Sequence, residues 1–177
     1  MSGHSKWSQI KHKKGLADIK KGQLFSKLIQ TISLAAKKNP NPDFNPQLRS
    51  AIEKAKVNKL PSETIERAIK RASEIKEALE ELIIEAYGPS GVALIIEIIT
   101  DNKNRTITEI KNILSEVDGK IAESGGVRWA FNTPAVGSSK WQPKFKQEVS
   151  NEIKEKIQKL IQELKNHNDV QEVYTNA

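Results

Sequence analysis

The chain has 177 residues, of which 37% are hydrophobic and 29% charged, and its net charge is +7. This composition is typical of a folded protein rather than a disordered one. The absence of cysteine excludes disulfides, thiolate catalysis and cysteine-based zinc sites. The sequence shows neither the apolar run of a signal peptide nor that of a membrane-spanning helix, so we expect a soluble, cytoplasmic protein with no membrane partner.

The positive charge is concentrated in the first part of the chain. Residues 1–76 contain 17 Lys and Arg against 6 Asp and Glu, a net +11, whereas residues 77–177 contain 12 against 16, a net −4. Clustered cations attract phosphate more strongly than dispersed ones. We therefore expect two domains, a basic nucleic-acid-binding one over 1–76 and a second over 77–177. A lysine-rich surface that contacts only water is the alternative.

The opening stretch "MSGHSKWSQIKHKKG" has four lysines and no acid. It has no apolar periodicity, so we predict a basic arm that precedes the first helix and becomes ordered when it binds a polyanion. Trp7 either packs against the helices or offers a stacking surface to a base.

Three helices are predicted to follow the arm and to form a small bundle. Residues 16–38 have a helical apolar stripe, and the proline-rich "NPNPDFNP" ends that helix. Asn45 is a good N-cap for a second helix over 46–57, and a third helix is expected over 62–73. The predicted stripe of the first helix consists of Leu16, Ile19, Leu24, Leu28, Ile29, Ile32, Ala35 and Ala36.

The second part of the chain has the pattern of strands and helices in one layered domain. "LIIEAY" and "VALIIEIIT", separated by "GPSG", predict a β-hairpin. A helix over 106–117 ends at Gly119, "GVRWAF" and "KFKQEV" predict strands, Ser150 begins a last helix, and "VQEVYT" predicts a final strand. The expected fold class is α+β: the helical bundle with its arm, then a two-layer α/β sandwich, an open sheet with two helices on one face.

Candidate contacts to nucleic acid are the cations, one aromatic and one histidine of the basic part. They are Lys6, Trp7, Lys11, His12, Lys13, Lys14, Lys20, Lys21, Lys27, Arg49, Lys54, Lys56, Arg67 and Lys70. In "TDNKNRT", the residues Asn102, Lys103, Asn104 and Arg105 are either a helix cap or a contact for phosphate at a helix N-terminus. "ESGGVRW" is either a recognition loop or the start of a strand.

Catalysis is not expected from this sequence. The three histidines (4, 12 and 167) are not accompanied by a nucleophile or metalloprotease motif, and "GPSG" lacks the spacing of a phosphate-binding loop. After removal of Met1, His4 would be the third residue of a copper or nickel motif, but simple polarity also accounts for it. We expect no metal site, no cofactor and no small-molecule substrate.

Long stretches at both ends resemble one family. "MSGHSKWSQIKHKKG", "DIKKGQLFSKL", "NPQLRSAIEKAK", "LPSETIERAIKRA", "YGPSGVALIIEIITDNKNRT", "SGGVRWAF" and "LKNHNDVQEVYTN" are similar to the YebC/PmpR family of probable transcriptional regulatory proteins, related to a mitochondrial translational activator of a cytochrome oxidase subunit. The resemblance implies a helical N-terminal domain and an α/β domain that usually contains an inserted third domain. That insert is expected to be missing near residues 133–143, where the chain is short.

The resemblance implies a DNA-binding regulator of transcription. The first alternative is a translation factor that binds ribosomal RNA on the ribosome. The second is a protein-interaction module whose basic face meets an acidic partner. Lysines that contact phosphates do not read base sequence, so the residues themselves leave these three open.

Overall fold

The computed structural model describes residues 3–74, 78–134 and 140–177, with side chains from residue 14 onward in these ranges. The chain forms two compact units, Met1–Lys76 and Glu77–Ala177. The residues around the expected domain boundary (75–77), and residues 135–139 within the expected site of the missing insert, lie outside the described residues.

The first unit is a bundle of three helices. Its small apolar residues allow close packing, and the buried core includes Leu28, Ile32, Ala35, Ala36, Leu48, Ala51, Ala55, Leu60, Ile65, Ala68 and Ala72. The helices are α1 (Gly3–Lys38), α2 (Pro46–Val57) and α3 (Ser62–Glu74). The predicted three-helix bundle is therefore confirmed.

The prediction of a separate arm before the first helix is wrong, because the backbone of α1 is already helical from Gly3. The predicted stripe is also too long. Leu16 is 49% exposed and Ile19 is 60% exposed, and among the described side chains of α1, from residue 14 onward, the first buried one is Leu28. Because no side chain over residues 14–27 is fully buried, this part of α1 is helical without a core-facing apolar stripe, and the lack of apolar periodicity in the opening stretch did not rule out a helix.

The turn between α1 and α2 is organised by one buried carboxamide. The Oδ1 atom of Asn45 accepts a hydrogen bond from the Leu48 amide at 3.0 Å, which caps α2. The Nδ2 atom of Asn45 donates to the carbonyl oxygens of Ala35 (2.8 Å) and Asn39 (2.7 Å). The predicted cap is confirmed, and the same side chain also satisfies carbonyl groups at the end of α1.

The second unit contains an antiparallel sheet and two helices. Among the described residues, four strands pair in the order β3, β1, β2, β6, and two short strands, β4 and β5, pair with each other. The strands are β1 (Glu80–Tyr87), β2 (Ala93–Thr100), β3 (Lys120–Ile121), β4 (Phe131–Asn132), β5 (Gln142–Pro143) and β6 (Val170–Thr175), and the helices are α4 (Lys103–Ser115) and α5 (Asn151–Asn166). The α+β class and the predicted hairpin of β1 and β2 are confirmed.

The two faces of the sheet pack against different parts of the chain. One face packs against α4 and α5, as predicted, with side chains such as Ile96, Ile110 and Leu160 in one buried cluster. The opposite face packs against the segments around β4 and β5, where Phe131 and Trp141 are buried. Because β2 has apolar residues on both faces, its sequence is hydrophobic at consecutive positions, with Glu97 as an interruption.

Two predicted strands are largely wrong. In "GVRWAF", residues Arg128–Ala130 form a turn of 3-10 helix, and only Phe131, the first residue of β4, is in a strand. In "KFKQEV" the backbone is irregular, and the neighbouring Gln142–Pro143 pairs instead. The second segment has no continuous apolar face to bury, since Phe145 is 62% exposed.

The end of α4 differs from the prediction in its conformational detail. Asp118, not the glycine, has the left-handed φ of 58°. A Cβ atom on Gly119 would lie 2.9 Å from the Tyr87 carbonyl oxygen and 3.0 Å from that of Leu114. Glycine is needed here because two backbone segments approach closely.

Candidate nucleic-acid interface

The continuous backbone of α1 places several predicted contact residues on one helix. Positions 6, 13, 20 and 27 are lysines seven residues apart. A straight α-helix drifts about 20° for every seven residues, so these four positions share a face within about 60°. Because the opening stretch is helical and not an irregular arm, these four positions form a row along α1.

The described lysines of this helix are accessible to a polyanion. Lys14, Lys20 and Lys21 are exposed, and Lys27 is half-buried. The Nζ atom of Lys21 lies 5.4 Å from the centre of the Phe25 ring. The side chains of Lys6, Trp7, Lys11, His12 and Lys13 lie outside the described part, so the role of Trp7 stays a prediction.

The predicted contacts on α2 and α3 differ in how far their charge is neutralised. On α2, Lys54 and Lys56 are exposed, and the Arg49 guanidinium donates to the Pro42 carbonyl at 3.3 Å. On α3, ion pairs join Arg67 to Glu63 at 2.7 Å and Lys70 to Glu74 at 3.8 Å. We expect α1 and α2 to contribute more to phosphate attraction than α3, because acids on α3 offset its cations.

The "TDNKNRT" segment is a helix cap in the structure. The side chain of Asn102 accepts a hydrogen bond from the Arg105 amide at 3.1 Å and caps α4. Lys103 and Asn104 are exposed in the first turn. The cap explains why the segment is rich in asparagine, and phosphate contact by Lys103 and Asn104 remains a prediction.

Arg105 is bound by acids of its own unit. Its Nη2 atom lies 2.7 Å from the Asp169 carboxylate and 3.0 Å from that of Asp101, and its Nε atom lies 3.8 Å from Glu109. The hydrogen bond with Asp169 raises the pKa of Arg105 above its usual value. Arg105 is thus a structural link between α4 and the segment before β6.

Asp169 is a buried acid whose role the sequence did not reveal. Its carboxylate accepts a hydrogen bond from the Thr106 hydroxyl at 2.7 Å, and Thr106 lies 2.8 Å from the Thr100 hydroxyl. Burial acts to raise the pKa of Asp169, but the hydrogen bonds from Thr106 and Arg105 outweigh it and hold the pKa below its usual value. The charge is compensated, as a buried carboxylate requires.

Three potential metal ligands meet beside this network. Ligand atoms of Glu109, His167 and Asp169 lie within 4.8 Å of one another. The His167 ring is 2.8 Å from Glu109, and Asp169 is bound to Arg105 and Thr106. Since these groups have partners within the protein, their proximity does not require an ion.

The "ESGGVRW" segment is held by a second buried acid, Glu85 on β1. Its carboxylate accepts hydrogen bonds from the amides of Gly125 (2.8 Å), Val127 (3.0 Å) and Arg128 (2.9 Å). Burial acts to raise the pKa of Glu85, but these amides and the Arg128 charge outweigh it and hold the pKa below its usual range. The segment is therefore an anchored loop.

A third acid, Glu97 on β2, faces the cluster that contains Trp141. It accepts hydrogen bonds from the Trp141 indole at 3.0 Å and the Tyr174 hydroxyl at 3.4 Å. Burial raises the pKa of Glu97, and the nearby Glu81 and Glu172 act in the same direction. The ionised form of this carboxyl is consequently disfavoured in the folded protein.

Taken together, these features define a class: an α+β protein with a basic helical unit and a second unit built on an antiparallel sheet. Comparison with family models identifies it further. The model of the TACO1/YebC protein N-terminal domain matches residues 5–75, and that of the TACO1/YebC second and third domain matches residues 79–138 and 133–177. The chain belongs to the TACO1/YebC family.

Curated relatives resemble the chain over most of its length. A "probable transcriptional regulatory protein" of Trichlorobacter lovleyi is 49% identical over 139 residues, covering 77% of this chain and 56% of the relative. One from Dehalococcoides mccartyi is 52% identical, covering 77% and 55%. The chain thus spans about half the length of the curated relatives it matches.

A solved structure has the same fold. The crystal structure of a conserved hypothetical protein, Aq1575 from Aquifex aeolicus, aligns with a TM-score of 0.80 at 30% identity, covering 88% of this chain and 89% of that one. In the described part of our chain, none of the helices has the length and apolar character needed to span a bilayer.

Proposed function

We propose that this protein is a nucleic-acid-binding regulator of gene expression, and that residues 1–76 provide most of the binding. The observation that carries the proposal is the row of lysines on the continuous helix α1 within a part of the chain whose net charge is +11. A row of cations about 10 Å apart along one helix face concentrates positive charge, and concentrated cations attract a phosphate backbone more strongly than dispersed ones do. The names of the curated relatives support the regulatory role.

The proposed mechanism is binding without catalysis. The buried acids Glu85 and Asp169 accept hydrogen bonds that hold segments of the second unit together. The pKa values of Glu85 and Asp169 are lowered, whereas a general acid needs a raised one. The pKa of Glu97 is raised, but its carboxyl is bonded to Trp141 and Tyr174. We accordingly assign no enzymatic step, and we place the protein in the cytoplasm with DNA or RNA as its partner.

DNA as the target is our first proposal, and ribosomal RNA on the ribosome is the alternative. Crosslinking in cells followed by sequencing tests both. Enrichment of promoter DNA supports a transcriptional regulator, and enrichment of ribosomal RNA supports a translation factor. Recovery of neither class, with acidic proteins crosslinked instead, would contradict the proposal and favour a protein-interaction module.

A further inference from the structure

We propose that the second unit contains a separate site where unpaired nucleotides stack on an exposed aromatic pair, Trp129 and Phe145. This inference rests on the proposed function and extends it, because the lysines of α1 supply phosphate contacts and no surface for bases. The shared chemistry is an unpaired base with its phosphate, which either RNA or single-stranded DNA provides.

The two rings form an accessible aromatic surface. Trp129 is 65% exposed and Phe145 is 62% exposed, although their ring centres are only 6.3 Å apart, with the planes inclined by 44°. Large aromatic side chains usually bury most of their area. Because Trp129 and Phe145 remain exposed although they lie next to each other, their ring faces are available for a base to stack on.

The position of Trp129 is fixed by the protein. Its indole Nε1 donates to the Gly126 carbonyl at 2.9 Å, and the amides of Gly125 and Val127 on either side are bound by the Glu85 carboxylate. A ring that is held in place before binding loses little conformational entropy when a base stacks on it.

Phe145 is aligned with Trp129 by pairing of the two segments that contain them. Phe131 pairs with Pro143 in the short antiparallel ladder of β4 and β5, and the Lys144 amide donates to the Ala130 carbonyl at 2.8 Å. Trp129 precedes Ala130 and Phe145 follows Lys144, so this pairing brings Trp129 and Phe145 next to each other. Contact between the rings follows from the backbone geometry.

The charge around the pair favours a polyanion over an apolar surface, and the exposed aromatic rings favour a nucleic acid among polyanions. Lys144 and Lys146 flank Phe145 in the sequence and are exposed, whereas Arg128, next to Trp129, lies 3.5 Å from Glu85. The acids nearest in sequence to these segments are Glu123 and Glu148. Aromatic rings interspersed with cations are the usual composition of sites for single-stranded nucleic acid, where bases stack and phosphates meet Lys or Arg.

The test measures binding of the full chain to labelled oligouridine, oligothymidine and an RNA duplex of equal length. We expect Trp129→Ala to weaken binding of the single strands by roughly tenfold and to change duplex binding less than about twofold. Trp129→Phe should retain most of the single-strand affinity because it keeps a stacking surface. Phe145→Ala should behave like Trp129→Ala, and thermal melts check that each variant is folded.

A charge-matched pair of variants separates local from general electrostatics. Lys144→Ala with Lys146→Ala removes two exposed cations next to Phe145 in the sequence, whereas Lys154→Ala with Lys159→Ala removes two exposed cations from α5. We expect the first pair to weaken oligouridine binding several-fold more than the second. Equal effects of the two pairs would contradict a local site.

The outcomes distinguish this inference from the proposed function. If the intact protein binds all the probes and Trp129→Ala binds them as tightly as the wild type, the stacking site is wrong and the proposed function stands. If Trp129→Ala weakens single strands and duplex equally, the ring does not select unpaired bases, and the inference is also wrong. Binding to none of the probes would overturn both.

Discussion

Replacing Glu85 by glutamine tests how strongly one buried carboxylate stabilises the second unit. The side chain is only 4% exposed and accepts three backbone hydrogen bonds, one on Oε1 and two on Oε2. Glutamine has a single acceptor oxygen, so at least one of these amides would face the N–H groups of the new carboxamide. The remaining hydrogen bonds would lose their charge assistance.

The expected magnitude follows from these contacts. A hydrogen bond to a charged group contributes about 1.5–3 kcal/mol, and a neutral one about 0.5–1.5 kcal/mol. Losing one charged bond and weakening the others should lower the free energy of unfolding of the second unit by about 2–4 kcal/mol. For a typical slope of the unfolding free energy against urea concentration, the urea midpoint should fall by about 1–2 M.

Urea unfolding of the wild type, Glu85→Gln and Glu81→Gln provides the assay. Glu81 is on the same strand but is exposed, so its glutamine variant should remain within about 0.5 kcal/mol of the wild type. Because the pKa of Glu85 is lowered on folding, its contribution is present above about pH 4 and is lost as the pH falls further. Equal urea midpoints for Glu85→Gln and Glu81→Gln at neutral pH would refute the reasoning.

Three other substitutions test separate parts of the fold. Asn45→Asp keeps the acceptor for Leu48 but loses two donors to carbonyl groups. The free energy of unfolding of the first unit, measured in urea, should therefore fall by about 2 kcal/mol or more, and no change would contradict this prediction. Glu97→Gln should raise the melting temperature at pH 7, because the pKa of Glu97 is raised on folding, and calorimetry should show this advantage shrinking as acid protonates the wild-type carboxyl. Lys59→Gly should stabilise the first unit by roughly 0.5–1 kcal/mol in urea unfolding, since residue 59 has a φ of 60°.

Elements with strong local signals could be predicted from the sequence. Asn45 followed by Pro46 predicted the start of α2, and Ser150 predicted that of α5, because the side chain of an N-cap bonds an amide only three residues away. The hairpin of β1 and β2 could be predicted equally well, since two apolar β-rich runs flank a turn of Pro and Gly. In each case the stabilising contacts join residues that are close in the chain.

Features that depend on distant contacts were missed. Glu85 looks like an interruption of an apolar strand, and the amides that it binds come about forty residues later. Asp169 is likewise bound by residues of α4, more than sixty positions earlier. No periodicity or spacing within one segment can reveal such pairs, and residues 126–130 were consequently predicted as part of a strand.

The candidate site was predicted in composition but not in arrangement. The excess of lysine in residues 1–76 is visible in the sequence, whereas their alignment depends on a helix that starts at Gly3. The exposed pair of Trp129 and Phe145 was missed because exposure of an aromatic residue follows from tertiary structure and cannot be read from residue type.

We propose above that lysines of the first unit bind phosphates, and the salt dependence of nucleic-acid binding measures these contacts. The variant Lys14→Ala, Lys20→Ala, Lys21→Ala removes three exposed cations of α1, and the control Lys111→Ala, Lys154→Ala, Lys159→Ala removes three exposed cations of the second unit. Each lost phosphate contact should flatten the logarithmic salt dependence by about 0.7–0.9. We predict that the α1 variant reduces the slope by about two to three, with the melting temperature nearly unchanged, and that the control leaves the slope near that of the wild type. A slope that the α1 variant does not change would contradict the account.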